Sequence, residues 1–296
     1  MSGKFYVKQK QMIERAELKN LSHSLDGKLP KFSIITPVLN GEKYLAETIN
    51  SIRSQSFDSY EHIIVDGGSS DQTLTIANEA ASQDSRLQVL ERPGLGQYAA
   101  IVEGFGHACG DWLSWLNADD LYTSWALEVV FGFAKRREDA DWVSGFPACW
   151  DADGTLRFLR PEGWHPQILI KGGWFHSQLL GYIQQESVFF KRSLFEGLST
   201  SEKAMFQNAN LAGDFKLWKS FAAQTKLVTV PTVLGGFRRH ANNRSIVGEE
   251  KYIQEIRTAG AKFLPQPLAN LARAIYLRAT STRAAQLAHE EDRADQ

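Results

Sequence analysis

From residue 32 to residue 120 the chain alternates short, nearly continuous apolar runs with longer segments whose apolar positions recur every three or four residues. Runs of four to eight apolar residues between turn formers read as strands buried on both faces, and the 3.6-residue period between them reads as helix. Residues 32–36 are the first predicted strand, stopped by Pro37. Leu45, Ile49 and Ile52 then share one helical face, with Asn40 or Gly41 placed to begin the helix. Residues 61–65, 87–90 and 112–116 are the next predicted strands, separated by predicted helices over 73–81 and 97–107, and another helix begins near Ser124. Strict alternation of this kind implies parallel strands joined by right-handed crossovers, an α/β sheet flanked by helices.

Beyond Tyr122 the pattern loosens. Trp142, Trp150, Trp164 and Trp174, punctuated by glycine, read either as loops of a binding surface or as a mixed aromatic core. Asp151-Ala152-Asp153-Gly154 begins like a calcium loop, but Thr155-Leu156-Arg157 does not continue one, so a hairpin turn is expected. His165 and His176 have no partners at ligand spacing and read as loop or core residues. After a polar loop over 241–247 a helical tail is expected, with Leu264, Leu268, Leu271 and Ile275 on one face beside Lys262, Arg273, Arg278 and Arg283. That face is expected to pack on the domain or on a second copy of the chain as a homodimer; a peripheral contact with an anionic membrane is the other reading.

Composition narrows the class. The 296 residues suffice for one large domain, and a net charge of −1 gives no reason to expect a nucleic-acid partner. Cys109 and Cys149 lack metal spacing and read as buried free thiols. Residues 1–20 have no apolar core for a signal peptide, and no stretch approaches the ~20 apolar residues of a membrane span, so a cytoplasmic location is expected, soluble or at the inner face of a membrane. The organisation reads as a polar leader (1–30), a ligand-binding half (31–122), a second half of the same domain (123–247) and a C-terminal helical extension (248–296).

The chemistry gathers at strand ends. The predicted strand at 112–116 runs into Asn117-Ala118-Asp119-Asp120, the one at 61–65 into Asp66-Gly67-Gly68, and the first ends at Thr36. In an open parallel sheet these ends share one edge, where ligands bind. Adjacent carboxylates repel, and a hard divalent cation carrying substrate phosphates keeps both ionised; a turn capping the next helix is the plainer alternative. Asp66 and Thr36 are placed to meet a base or ribose, Gly67 lets backbone approach a ligand, and the helix after Asp71 offers free N–H groups.

Thr36-Pro37-Val38-Leu39-Asn40 with Glu42, then residues 65–73, then Trp115-Leu116-Asn117-Ala118-Asp119-Asp120, resemble the family-2 glycosyltransferases of GT-A fold, strongly over residues 31–122. Gln184-Gln185-Glu186-Ser187, Gly213-Asp214-Phe215-Lys216-Leu217-Trp218 and Gly236-Phe237-Arg238-Arg239-His240 are similar to further family segments. The resemblance implies an inverting transfer from a nucleotide diphosphate sugar, most simply a UDP-sugar, to a glycan or lipid-linked glycan, with Mn²⁺ or Mg²⁺. It also implies roles. Thr36, Pro37, Leu39, Asn40, Glu42, Asp66, Gly67, Gly96, Asn117, Asp119 and Arg238 would hold the nucleotide. Asp120, Asp119 and His240 would hold the metal. One departure stands out: in Gly96-Gln97-Tyr98-Ala99-Ala100-Ile101-Val102, Ala99 and Val102 replace polar residues usual in the family. A catalytically silent nucleotide-sugar binding protein therefore stays open, as does, more remotely, a sugar nucleotidyltransferase.

Inversion in one displacement needs a carboxylate base outside the nucleotide-binding half. Asp214 and Glu186 are the two candidates, with Asp214 favoured by the resemblance; Asp214 as a simple helix cap is the alternative.

Overall fold

The computed structural model describes residues 31–294 apart from 138, 161–163, 242 and 245–247, and of residues 281–294 the backbone alone. The expected leader, most of the loop before residue 248, the Arg283 side chain and the last two residues lie outside this part.

Strands β1 (Phe32–Val38), β2 (Tyr60–Asp66), β3 (Leu87–Glu91) and β4 (Trp112–Trp115) are parallel and lie side by side as β4-β1-β2-β3. Helices α1 (Leu45–Arg53), α2 (Thr73–Gln83) and α3 (Gln97–His107) connect them. Every residue of β1 and β2 is buried, which is why they read as continuous apolar runs without alternation. The buried polar side chains pair with one another: Ser33 Oγ donates to Glu61 at 2.6 Å, and Thr36 Oγ1 lies 2.9 Å from His62 Nε2.

Two boundaries differ from expectation. Pro37 does not stop β1, because β4 pairs only as far as Ile35 and its missing N–H points to the side where no partner strand remains. The helix after β1 starts at Leu45, because Asn40 has φ 52° and the loop is tied to the next strand's loop instead. Asn40 N–H donates to Ser69 Oγ, Gly41 N–H to Thr73 Oγ1, and Gln72 N–H to Glu42.

After β5 (Leu121–Tyr122) and α4 (Ala126–Arg136), β6 (Trp142–Ser144) extends the main sheet. Strands β7 (Ala148–Trp150) and β8 (Leu156–Leu159) form the expected hairpin, with Gly154 at φ 82° in its turn. Following α5 (Gln167–Lys171) and a single 3-10 turn, Gln185–Ser187, strand β9 (Val188–Lys191) inserts antiparallel between β4 and β6. Then come α6 (Arg192–Glu196), α7 (Thr200–Gln207), α8 (Gly213–Gln224), β10 (Val228–Thr229) at the sheet edge, and β11 (Gly235–Arg238), which pairs with β5 and β7 in a second, four-stranded sheet. Helices α9 (Glu249–Thr258) and α10 (Gln266–Ala294) end the described chain.

Of the four glycine-punctuated tryptophans, Trp142 is in the core, where it stacks in series with Trp218 and Trp115 at 5.5 Å spacings, whereas Trp164 is exposed. His165 and His176 are buried, Cys149 is buried, and Cys109 is only half-buried; neither cysteine is in a disulfide. The C-terminal helix turns another face to the domain than the one expected to pack there. Leu268, Leu271 and Ile275 point outward, while Ala269, Tyr276 and Thr280 are buried. The small side chain at Ala269 lets the helix approach, and Tyr276 is anchored by its hydroxyl to the Trp164 carbonyl at 2.7 Å.

Candidate active site

The parallel strands bring the loops after β1, β2 and β4 to one edge, and β11 crosses in front of it. Gly235 and Gly236 permit that crossing. A Cβ at 235 would lie 2.3 Å from the Glu186 carbonyl oxygen, and one at 236 would lie 2.7 Å from Trp150 Nε1 and 2.9 Å from the Ala148 oxygen. The β5–β11 register, Gly235 against Tyr122 and Gly236 against Leu121, carries Arg238 and His240 onto the two aspartates. Thr48 Oγ1 fixes the aspartate loop from α1, lying 2.9 Å from the carbonyls of both Ala118 and Asp120.

The two carboxylates face different ways. Asp119 is half-buried, and its Oδ2 meets His240 Nε2 at 2.9 Å and Asn243 Nδ2 at 3.3 Å. Asn243 also accepts the His240 backbone N–H at 2.6 Å, while the His240 ring stacks on Tyr44 at 4.7 Å. Asp120 is fully buried; its Oδ1 accepts the Arg238 backbone N–H at 2.8 Å and its Oδ2 accepts from Asn117 at 3.0 Å. Burial, then the charges of Asp119 and Glu186, push its carboxyl well above the usual range. The expected metal set is thus split: Asp119 and His240 come together, and Asp120 is turned inward by its own hydrogen bonds. Among the described residues no three His, Cys, Asp or Glu side chains stand in metal-holding geometry. The surroundings nevertheless suit a divalent ion. Asp119 offers a carboxylate and His240 an imidazole, with the charges of Asp120 and Glu186 acting nearby, a donor set a divalent ion can use.

Glu186 sits in the 3-10 turn, buried. Burial and then the charges of Asp214 and Asp119 raise its carboxyl to about 8. Its neighbours are structural: Gln184 donates to the Ala148 carbonyl, Gln185 to the Trp115 carbonyl, and Ser187 to the Gly235 carbonyl. Asp214 is the second residue of α8, half-buried, with Oδ1 accepting the Phe215 N–H at 2.8 Å. Burial, followed by the charge of Glu255, raises it to about 6. It does not occupy the N-cap position, which is Ala212.

The remaining nucleotide candidates line the edge in different states. Leu39 and Gly96 are exposed at its lip, and Gly67 packs its backbone N–H on the Val38 carbonyl at 2.8 Å. Asp66 is buried, with Oδ2 accepting the N–H groups of Gly68 and Ser69 and Oδ1 the Ser69 hydroxyl, so here it organises its own turn. Thr36 and Pro37 lie inside the sheet, and Asn40 and Glu42 serve in the ties to residues 69–73. Asn117 is the hub between Gln97, Asp120 and Gln185. For Arg238 the expectation is a place at the nucleotide. Its side chain is fully buried, paired with Glu47 at 2.8 Å and lying over the Tyr44 ring at 4.7 Å. Arg239 is exposed.

Sequence reasoning missed Asn243, Glu47, Thr48, Arg244 and Glu255. Arg244 donates to Gln97 at 2.7 Å and reaches Asn210 at 3.3 Å, so it spans the two halves of the domain. Glu47, Thr48, Arg244 and Glu255 carry no local signal, since each is defined by a partner distant in sequence, whereas Asn243 is tied to His240 and Arg238 just before it.

This arrangement, a mainly parallel sheet with acidic residues at its C-terminal edge, is the GT-A glycosyltransferase fold. Residues 33–196 match the sequence profile described as Glycosyl transferase family 2, and the chain belongs to that family. Among relatives, a PGL/p-HBAD biosynthesis glycosyltransferase of Mycobacterium bovis (strain BCG / Pasteur 1173P2) is 41% identical over 118 residues, 39% of this chain and 46% of that one. An uncharacterized glycosyltransferase of Rickettsia typhi is 30% identical over 135 residues, 45% of this chain and 42% of its own length. The matches thus span less than half of either relative. Similar solved structures are S. aureus TarS 1-349 in complex with UDP-GlcNAc and the Pyrobaculum calidifontis mannosyltransferase PcManGT in complex with GDP-Man and Mn²⁺. For TarS the TM-score is 0.57, identity 18%, and coverage 83% of this chain and 71% of that chain. For PcManGT the values are 0.55, 18%, 93% and 81%. No helix among the described residues is long and apolar enough to cross a membrane.

Proposed function

We propose that this glycosyltransferase moves a sugar from a nucleoside diphosphate donor, most simply a UDP-sugar, to a hydroxyl of a glycan or lipid-linked glycan, in one inverting displacement. The observation that carries the reading is the placement of Asp214. Its carboxylate stands on α8, apart from the loops at the sheet edge, and a carboxyl raised to about 6 is matched to accepting a proton near neutral pH. Glu186, raised to about 8, holds its proton at neutral pH and suits a hydrogen bond to the bound sugar better than proton removal.

In this reading the acceptor oxygen attacks the anomeric carbon as the bond to the diphosphate breaks, and the hydroxyl proton passes to Asp214. Asp119 and His240 would hold the ion, and Asn243 orients both. When bound, the ion neutralises charge developing on the leaving diphosphate. The nucleotide-sugar complexes of the two similar structures support the donor class.

Titration calorimetry with UDP and GDP, with and without Mn²⁺, tests the donor half. Binding that needs Mn²⁺ in the parent chain and is weakened at least tenfold in Asp119→Asn is expected. Nucleotide affinity indifferent to both the ion and the substitution would overturn the assignment.

A further inference from the structure

The start of α8 is capped from elsewhere in the chain. Ala212 occupies the N-cap position and supplies no side-chain acceptor. The carboxylate of Glu255, on α9, takes over: Oε2 accepts from Leu211 N at 2.8 Å and Ala212 N at 3.2 Å, and Oε1 from Asn210 N at 3.1 Å. Lys216, one turn into α8, donates to Oε1 at 2.5 Å. The contact is dry on one flank, where Tyr252 and Ile256 of α9 pack with Ala212 and Phe215. One side chain therefore fixes the three residues that lead into Gly213 and Asp214.

We propose that Glu255 is a positioning residue for the reaction, holding Asp214 in place through the α8 start. The proposal rests on Asp214 being the base. Helix α9 is then part of the acceptor-side machinery, although it lies outside the stretch matched by the family profile. The groups around Asp214 come from several elements: Tyr98 of α3, Tyr182 and Glu186 from the segment before β9, Lys216 of α8, and Tyr252 with Glu255 of α9. After burial, which raises the Asp214 carboxyl, and the Phe215 N–H, which lowers it, the negative charge of Glu255 holds the Asp214 proton more tightly.

Two substitutions pull in opposite directions. Glu255→Gln keeps an oxygen for the backbone N–H groups but removes the charge, and Lys216→Gln bares that charge. With Glu255→Gln, kcat is expected to fall about tenfold with donor KM within about twofold. The acid limb of kcat against pH should move down by about half a unit or more, whereas Lys216→Gln should move it up. Circular dichroism and thermal melts establish that the variants are folded, and Asp214→Asn run alongside identifies the limb as that of Asp214. If the limb stays in place in both variants, or if kcat loss only follows loss of the folded fraction, Glu255 is a structural cap and the proposal fails. If Asp214→Asn turns over normally, it is the assignment of the base that fails instead.

Discussion

Gly213→Ala tests how tightly the proposed base, Asp214, is seated. A Cβ at 213 would sit 2.4, 2.5 and 2.7 Å from Cε1, Cδ1 and Cζ of Tyr98, where carbon atoms normally approach to about 3.5–4.0 Å. Tyr98 cannot simply swing aside. It is buried, its hydroxyl donates to the Leu211 carbonyl at 3.0 Å, and its ring meets Phe206 edge-on at 5.3 Å. Relief needs a shift of about 1 Å in the ring or the helix, with an overpacking cost of about 1–3 kcal/mol. Greater helix propensity of alanine returns less than about 1 kcal/mol. A net loss of about 1–2 kcal/mol is expected in urea unfolding. Because Asp214 is the next residue, kcat should fall about tenfold or more as the base shifts. Repeating the substitution in a Tyr98→Ala background closes a double-mutant cycle, in which the penalty at 213 should largely vanish. A Gly213→Ala protein as stable as the parent, with unchanged kcat, would refute the close packing of Tyr98 on the α8 start.

Burial holds His62 at about 3, so below its ordinary value of 6.5 the unfolded chain takes up a proton that the fold refuses. Its contribution is present above pH 6.5 and is lost on acidification, about 1.5 kcal/mol between pH 6.5 and 5. Glu186 and Asp214, raised when folded, act with the opposite sign, so the check is the difference in unfolding free energy between the parent and His62→Gln across that range; parallel curves would contradict it. Separately, kcat should fall on the acid side with a midpoint near 6, set by protonation of Asp214; constant kcat down to pH 5 would contradict that.

The parts legible in the sequence are those whose meaning is local. Continuous apolar runs marked β1, β2 and β4 because both sheet faces are covered, and the residues that follow them share an edge by topology alone. The direction of each side chain was not legible. Nothing near Asp120 says that the N–H of Arg238, 118 residues away, will claim one of its oxygens, nor that Arg238 will be sealed against Glu47 and Tyr44. The tail shows the same limit. Leu268, Leu271 and Ile275 carry the stronger apolar signal, yet Ala269 and Tyr276 make the contact, because close helix approach rewards a small residue and an anchored ring.

The central claim is most directly tested by single-turnover transfer with Asp214→Asn and Glu186→Gln, each paired with calorimetric donor binding and determination of the product anomer. The account predicts an inverted product from the parent. It also predicts that Asp214→Asn binds donor as the parent does while losing at least two orders of magnitude in rate. A retained anomeric configuration, or full turnover by Asp214→Asn with loss in Glu186→Gln, would contradict it.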